Sequence, residues 1–360
     1  MYKLIYILLG LALMHMACIK QAPKEFKVGK GTNISHWLSQ SERRGEERVA
    51  WFTEKDVEFL ASLGFDHLRI PIDEEQMWDD AGNQEPEAFA LLKSGIDWCI
   101  KNNLKVIVDL HILRSHHFNA VEIPLWTDPA AQDQFVDLWR QLSAELIQYP
   151  TYMVAYELMN EAVTDDPDQW NDLAARAYQV IRDNEPERVI VIGSNRWQSV
   201  DTFDELKVPE NDPNILLSFH FYTPMSFTHH QAHWWRNGGE YTGPVQYPGQ
   251  IVDTSDLQGF PESVVKTIEN FNGVYNKEVL DSLLTEPIKK ATALNLPLYC
   301  GEWGCLPTVP EKDRLAWYSD MRSNLEEHGI GWATWDYKGD FGILDKQGQA
   351  VSQLIDVLTK

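Results

Sequence analysis

The stretch MVAYELMNEA, residues 153–162, begins as an apolar strand and ends on Asn160 and Glu161. A strand that only had to pack would not finish on a carboxylate. Glu157 sharpens the point, because strand alternation places it on the same face as Glu161. An acid inside a barrel must pair with a cation or donors to stay ionised, so Glu157 is expected to be structural. Glu161 is expected to stand at the open end.

The same plan recurs on both sides of this stretch. Strands are predicted near 28–34, 67–72, 105–111, 188–193, 215–221, 296–302 and 331–337. VIVDL (106–110) and VIVIG (189–193) are nearly continuous apolar runs, which suits parallel strands covered on both faces. Amphipathic helices fill the gaps. TEKDVEFLASLG (53–64) has Thr53 as its N-cap and Gly64 at its left-handed stop. PEAFALLKSGIDWCIKNN (86–103) puts Phe89, Leu92, Ile96 and Cys99 on one face. Pro287 is expected to kink or split KEVLDSLLTEPIKKATALN (277–295). Strands alternating with helices predict an α/β protein, a single (β/α)8 TIM barrel with a long loop after strand six. A doubly wound open sheet is the alternative, but no Gly-rich phosphate loop follows the first strand to support it.

In such a barrel the chemistry sits at the C-terminal ends of the strands. The predicted strands end in or carry Arg69, His111, Asn160 with Glu161, His220 with Tyr222, Glu302, and Trp335. Each has a structural explanation when taken singly: a salt bridge for Arg69, a hydrogen-bonded core histidine for His111 or His220, core packing for Trp335. Glu161 and Glu302 are different, because two carboxylates aimed at one mouth repel unless they have separate tasks. Glycoside hydrolysis needs such a pair: one protonates the departing sugar oxygen, and the other attacks the anomeric carbon or activates water. Arg69 and Tyr222 are the candidate donors to Glu302, and Asn160 is the candidate contact for a sugar 2-hydroxyl.

HLRIPI (67–72), VIVDLH (106–111), YELMNE (156–161), SFHFY (218–222), LYCGEWG (298–304) and WATWDYKG (332–339) together resemble glycoside hydrolase family 5, the cellulase-type retaining barrel enzymes. The resemblance runs from about Gly31 to Asp340. It implies Glu161 as acid/base and Glu302 as nucleophile, with Arg69, His111, Asn160, His220 and Tyr222 as the supporting shell. Trp335 would be the platform beneath the scissile sugar, and no metal or cofactor would take part. Ala162 departs from the pattern, since many members have Pro there, and Ile112 stands where some carry a second polar residue.

The implied activity is a secreted glycosidase cleaving β-linked glucan by double displacement. A β-mannan, xyloglucan or β-1,3-glucan hydrolase with the same machinery is an alternative. So is a non-catalytic carbohydrate-binding lipoprotein, although a binder needs neither glutamate. The loop YTPMSFTHHQAHWWRNGGEY (222–241) is rich in rings that stack on sugars, and its PMSFTHHQAHW resembles a stretch in some bacterial β-glucan-cleaving members. Trp234, Trp37, His116 and Trp126 are candidate subsite residues. His229, His230 and His233 have metal-ligand spacing, but no nearby carboxylate completes a set, so they are expected to pack the loop around Trp234 and Trp235.

Residues 1–18, MYKLIYILLGLALMHMAC, have one early charge, Lys3, and an apolar run too short to span a bilayer comfortably. They resemble a bacterial lipoprotein signal ending at a lipidated Cys18, with simple cleavage as the alternative. Residues 19–26 would be a tether and 27–360 the catalytic domain. The protein is therefore expected to be exported and anchored to the outer membrane, on its periplasmic or surface face, and otherwise secreted. The net charge of −23 argues against nucleic acid. The expected partner is a neutral β-linked polysaccharide or oligosaccharide, met by a monomer that touches membrane only through its lipid. Cys99, Cys300 and Cys305 show no CxxC spacing and read as core residues. The 14 tryptophans suggest a surface that stacks on something flat.

Overall fold

A computed structural model describes residues 25–360; the expected leader, Cys18 and residues 19–24 of the tether lie outside the described residues. The parallel strands are β1 (Lys30–Asn33), β2 (His67–Asp73), β3 (Lys105–Ile112), β4 (Val154–Glu157), β5 (Ile190–Gly193), β6 (Ile215–Phe221), β7 (Leu298–Trp303) and β8 (Gly331–Thr334). Each pairs with the next, and β8 closes back on β1. The prediction of a single (β/α)8 barrel is met.

Helices over Glu54–Ser62, Pro86–Lys101, Pro129–Leu146, Pro167–Arg182, Thr285–Leu294 and Glu311–Glu327 cover the outside. Proline opens three of them, at the position whose N–H would be unbonded in any case. The Thr53 N–H donates to Asp56, 2.8 Å away, at the start of the first, and Gly64 follows its end with φ +88°. Around Pro287 the predicted long helix is broken into Lys277–Ser282 and Thr285–Leu294. The β5–β6 connection has only a short turn at Asn195–Gln198 and a 3-10 helix at Val200–Glu205. The segment after β6 carries its own two-stranded ribbon, Gly249–Gln250 against Val274–Tyr275, and a helix over Glu262–Asn270.

Inside the barrel, Ile107, Ala155, Val191, Leu216, Tyr299 and Ala333 form an apolar layer, with Phe26, Val28 and Val189 packed against it. Two residues further along, alternation brings Arg69, Asp109 and Glu157 inward, all buried. The main core lies between the strands and the helices. Trp37, Trp78, Trp139, Trp170, Trp303, Trp317 and Trp332 are all fully buried. The expected stacking surface is thus mostly core filling: among the described tryptophans only Trp197 and Trp234 are exposed. Cys99, Cys300 and Cys305 are buried and free, as core residues.

Candidate active site

β4 stops at Glu157, so alternation does not carry Glu161 to the mouth. Glu161 instead reaches it through a left-handed backbone, φ +47°, and its carboxyl is almost buried. Glu302 arrives by a second irregularity. β6 and β7 pair as Phe219 with Cys300 and then His220 with Glu302, so β7 holds one extra residue, Gly301. This bulge turns Glu302 to the inner face, where unbroken alternation would have turned it out. Gly301 also makes room, because a Cβ there would lie 3.0 Å from Ser218 Oγ and 3.2 Å from His220 Nε2.

Arg69 organises the centre. Its Nε donates to Glu157 Oε2 at 2.7 Å and its Nη1 to Glu302 Oε1 at 2.7 Å. Nη2 donates to Asn160 Oδ1 at 2.9 Å and lies 3.0 Å from Asp109 Oδ2. Asn33 Oδ1 accepts from Nη1 at 2.9 Å. Glu157 therefore has the cation that its burial demands. Burial works against the guanidinium charge, but Asp109, Glu157 and Glu302 overcome it and hold Arg69 above its usual value.

The two mouth carboxylates differ in their company. Glu302 receives Arg69 on one oxygen and the Tyr222 hydroxyl on the other, at 2.9 Å. Burial raises its pKa, and Arg69 followed by weaker contributions including Tyr222 opposes the rise. Among the described residues the Glu161 carboxyl bonds only His220 Nδ1, at 2.9 Å, while burial and then the Glu302 charge push it well above the usual range. Both carboxyls are therefore raised, Glu161 the more strongly, because it lacks the arginine and tyrosine donors that Glu302 has. Burial keeps both histidines neutral: His111 is pushed down to about 3 and His220 well below its ordinary value. His111 Nδ1 bonds Asp109 Oδ2 at 2.7 Å, and its ring stacks on Trp335 with centroids 5.4 Å apart and planes 8° apart. Asn160 Nδ2 is buried without a partner among the described residues.

Arg69, His111, Asn160, Glu161, His220, Tyr222, Glu302 and Trp335 thus meet at one mouth. Ligand-type atoms of Glu161, His220 and Glu302 lie within 4.8 Å of one another. A metal ion held there would stand beside the Arg69 guanidinium, which already supplies positive charge to Glu302. Among the described residues the three loop histidines gather no carboxylate: His229 Nδ1 meets Thr228 Oγ1 at 3.0 Å, His230 Nε2 meets the Gly243 carbonyl at 2.9 Å, and His233 lies edge-on to Trp234.

A family model described as Cellulase (glycosyl hydrolase family 5) matches residues 27–340. The chain belongs to this family. Endoglucanase C of Acetivibrio thermocellus is 34% identical over 336 residues, covering 92% of this chain and 97% of that relative. Cellodextrinase A of Ruminococcus flavefaciens is 28% identical over 84% of this chain and 83% of its own. Among solved structures, an endoglucanase of Thermotoga maritima shares the fold with a TM-score of 0.74 at 23% identity, covering 92% of this chain and 96% of that one. This family 5 chain is a glycosidase of the cellulase type, a hydrolase of O-glycosyl bonds.

The loop residues fare unevenly. Trp37 is corrected from subsite to core: it is fully buried, donates to the Arg48 carbonyl at 3.0 Å and packs on Phe52. An aromatic near a barrel mouth in sequence can as well fill the gap between strand and helix. His116 and Trp126 both fasten Val163, His116 Nε2 accepting its N–H at 3.2 Å and the Trp126 indole donating to its carbonyl. They hold the loop after Glu161. Trp234 is 40% exposed beside Phe341, 6.1 Å away. Two residues escaped sequence reasoning. Asp109 carried a signal, a lone acid inside VIVDL, of the same kind as Glu157. Gln198 carried none: its Oε1 accepts the Glu161 N–H at 2.9 Å only because a left-handed turn brings it there.

Proposed function

We propose that this family 5 hydrolase cleaves β-linked glucan with retention of anomeric configuration, through a covalent glycosyl-enzyme at Glu302. The carrying observation is the close pair: Glu161 and Glu302 oxygens lie within 4.8 Å. Retaining glycosidases hold their carboxyls about 5–5.5 Å apart, whereas inverting ones leave room for a water. Arg69 and Tyr222 keep Glu302 ionised for attack on the anomeric carbon. As the glycosidic bond breaks, Glu161 passes its proton to the leaving oxygen. The resulting carboxylate then takes a proton from the water that releases the sugar from Glu302. Asn160 Nδ2, which has no partner among the described residues, hydrogen-bonds the sugar 2-hydroxyl in this reading.

The endoglucanases among its relatives support an internal β-glucan bond as the target. The leader ending at Cys18 supports export and a lipid anchor, with the enzyme acting as a monomer at the outer membrane. An activated 2-deoxy-2-fluoro-β-cellobioside should trap the peptide containing Glu302, and a label elsewhere overturns the nucleophile. Reducing-end release from β-glucans, mannan and xyloglucan should be greatest with β-glucan, and greater release from another polymer overturns the substrate. Cys18→Ser should release the protein from membranes of cells that make it.

A further inference from the structure

The turn after β5 is held in a conformation that side-chain-bearing residues avoid. Arg196, Trp197 and Gln198 have φ of +52°, +62° and +52°, and Glu161 beside them has φ +47°. Strain of this kind persists only where the surroundings enforce it. Here the enforcement runs between the two segments. Gln198 is buried and uses both ends of its amide. Oε1 accepts the Glu161 N–H at 2.9 Å, and Nε2 donates to Glu157 Oε1 at 3.2 Å and to Ser218 Oγ at 3.0 Å. Its neighbours add to the clamp. The Trp197 N–H donates to the Ala162 carbonyl at 3.2 Å, and the Asn195 side chain takes the Thr164 N–H and donates to the Thr164 carbonyl at 3.0 and 2.9 Å.

Gly193, the last residue of β5, is what lets Gln198 lie across the barrel. A Cβ on Gly193 would stand 2.4 Å from Gln198 Cγ and Nε2. Contacts then run without a gap from nucleophile to acid: Glu302 to Arg69, Arg69 to Glu157, Glu157 to Gln198, and Gln198 to the Glu161 main chain. Glu161 must be glutamate for chemistry, so glycine cannot supply its left-handed backbone.

We propose that Gln198 is a positioning residue for the general acid, holding the Glu161 main chain in the left-handed conformation that aims its carboxyl at the leaving-group oxygen, with Gly193 as the space it requires. The inference rests on Glu161 being the acid. It separates leaving groups: a misaimed acid matters where the departing oxygen needs a proton, and little where it leaves as a stable anion.

The test is kcat/KM across aryl β-cellobiosides of graded leaving-group pKa, with thermal unfolding recorded for each variant. Gln198→Met keeps the bulk and removes both hydrogen-bonding ends, and Gln198→Ala removes the bulk as well. Both should lose about tenfold more on the poorest leaving group than on the best. Gly193→Ala should show the same pattern by displacing Gln198, and Gly193→Ala with Gln198→Ala together should be no worse than Gln198→Ala alone. Equal losses on all leaving groups, or a Gly193→Ala cost that adds in full to that of Gln198→Ala, overturn the proposal. Glu161→Gln is the control. If it too ignores the leaving group, the acid assignment has failed; if it responds and the Gln198 variants do not, only the role of Gln198 has.

Discussion

The two ends of the barrel both bury charge, and they settle it in opposite ways. Where the strands begin, Arg188 Nε donates to Glu185 Oε2 at 2.8 Å, and its other N–H groups go to the carbonyls of Val154 at 2.7 Å and Tyr149 at 2.8 Å. His67, at the start of β2, engages both ring nitrogens, Nδ1 with Asp66 at 2.7 Å and Nε2 with the Tyr299 hydroxyl at 3.0 Å. Where the strands end, one guanidinium faces Asp109, Glu157 and Glu302, with Glu161 alongside. Burial pushes both histidines there down, which leaves more acids than the one guanidinium can match. Asn160 Nδ2 has no partner among the described residues. Cation matched to anion and donors matched to carbonyls make a charge-balanced network that holds the fold, although Glu185 Oε1 has no hydrogen bond among the described residues. Surplus acid and an unused donor make an unfinished one, which a sugar and a transferable proton complete.

The hardest way to break this contrast is to remove its most reactive member. Glu302→Gln should cut hydrolysis by about ten-thousandfold or more while the chain stays folded. Residual turnover within tenfold of the parent enzyme would mean that the surplus acids are merely structural. Next come the two arginines. Arg188→Ala and Arg69→Ala each strand buried carboxylates, at about 3–5 kcal/mol in urea unfolding. Under conditions where both remain folded, Arg188→Ala should keep kcat within about twofold and Arg69→Ala should lose it. Comparable kcat losses would erase the distinction between the ends.

Glu161→Gln comes third. It should cost about a hundredfold more in kcat/KM on substrates with poor leaving groups than on activated aryl glycosides, and equal losses would sink its acid role. The smallest effect is a slope. Burial, only partly offset by Arg69, raises Asp109 to about 7 from an ordinary value of 3.8. Its folded state binds the extra proton between those values, so its contribution to stability is intact below about 4 and is lost as pH rises through 7. Asp109→Asn should therefore gain Tm relative to the parent protein between pH 5 and pH 8. A constant difference across that range would place Asp109 among the balanced charges.

Much of the mouth was legible because oddity within a strand is a local signal. Arg69, Glu157 and Glu302 stand out against apolar neighbours whatever the rest of the chain does, and His111 and Asn160 mark strand ends in the same way. Asp109 was equally visible and was passed over as part of an apolar run. Trp37 was misplaced because nothing in its neighbourhood along the chain reports that Phe52 and Gly95 will enclose it. Glu161 was expected at the mouth by alternation and arrives there by a left-handed turn, so the place was right and the route was not.

By itself the sequence determined the barrel and the residues at its mouth, because strand periodicity and helix caps act over a few residues. Only the tertiary structure decided which glutamate is pushed further above its ordinary value. That depends on burial and on Arg69, Tyr222 and His220, which come from β2 and from β6 with the loop just beyond it, far from either acid in the chain. It also decided how Glu161 is aimed, since the bulge at Gly301 and the turn at Gln198 exist only where strands meet.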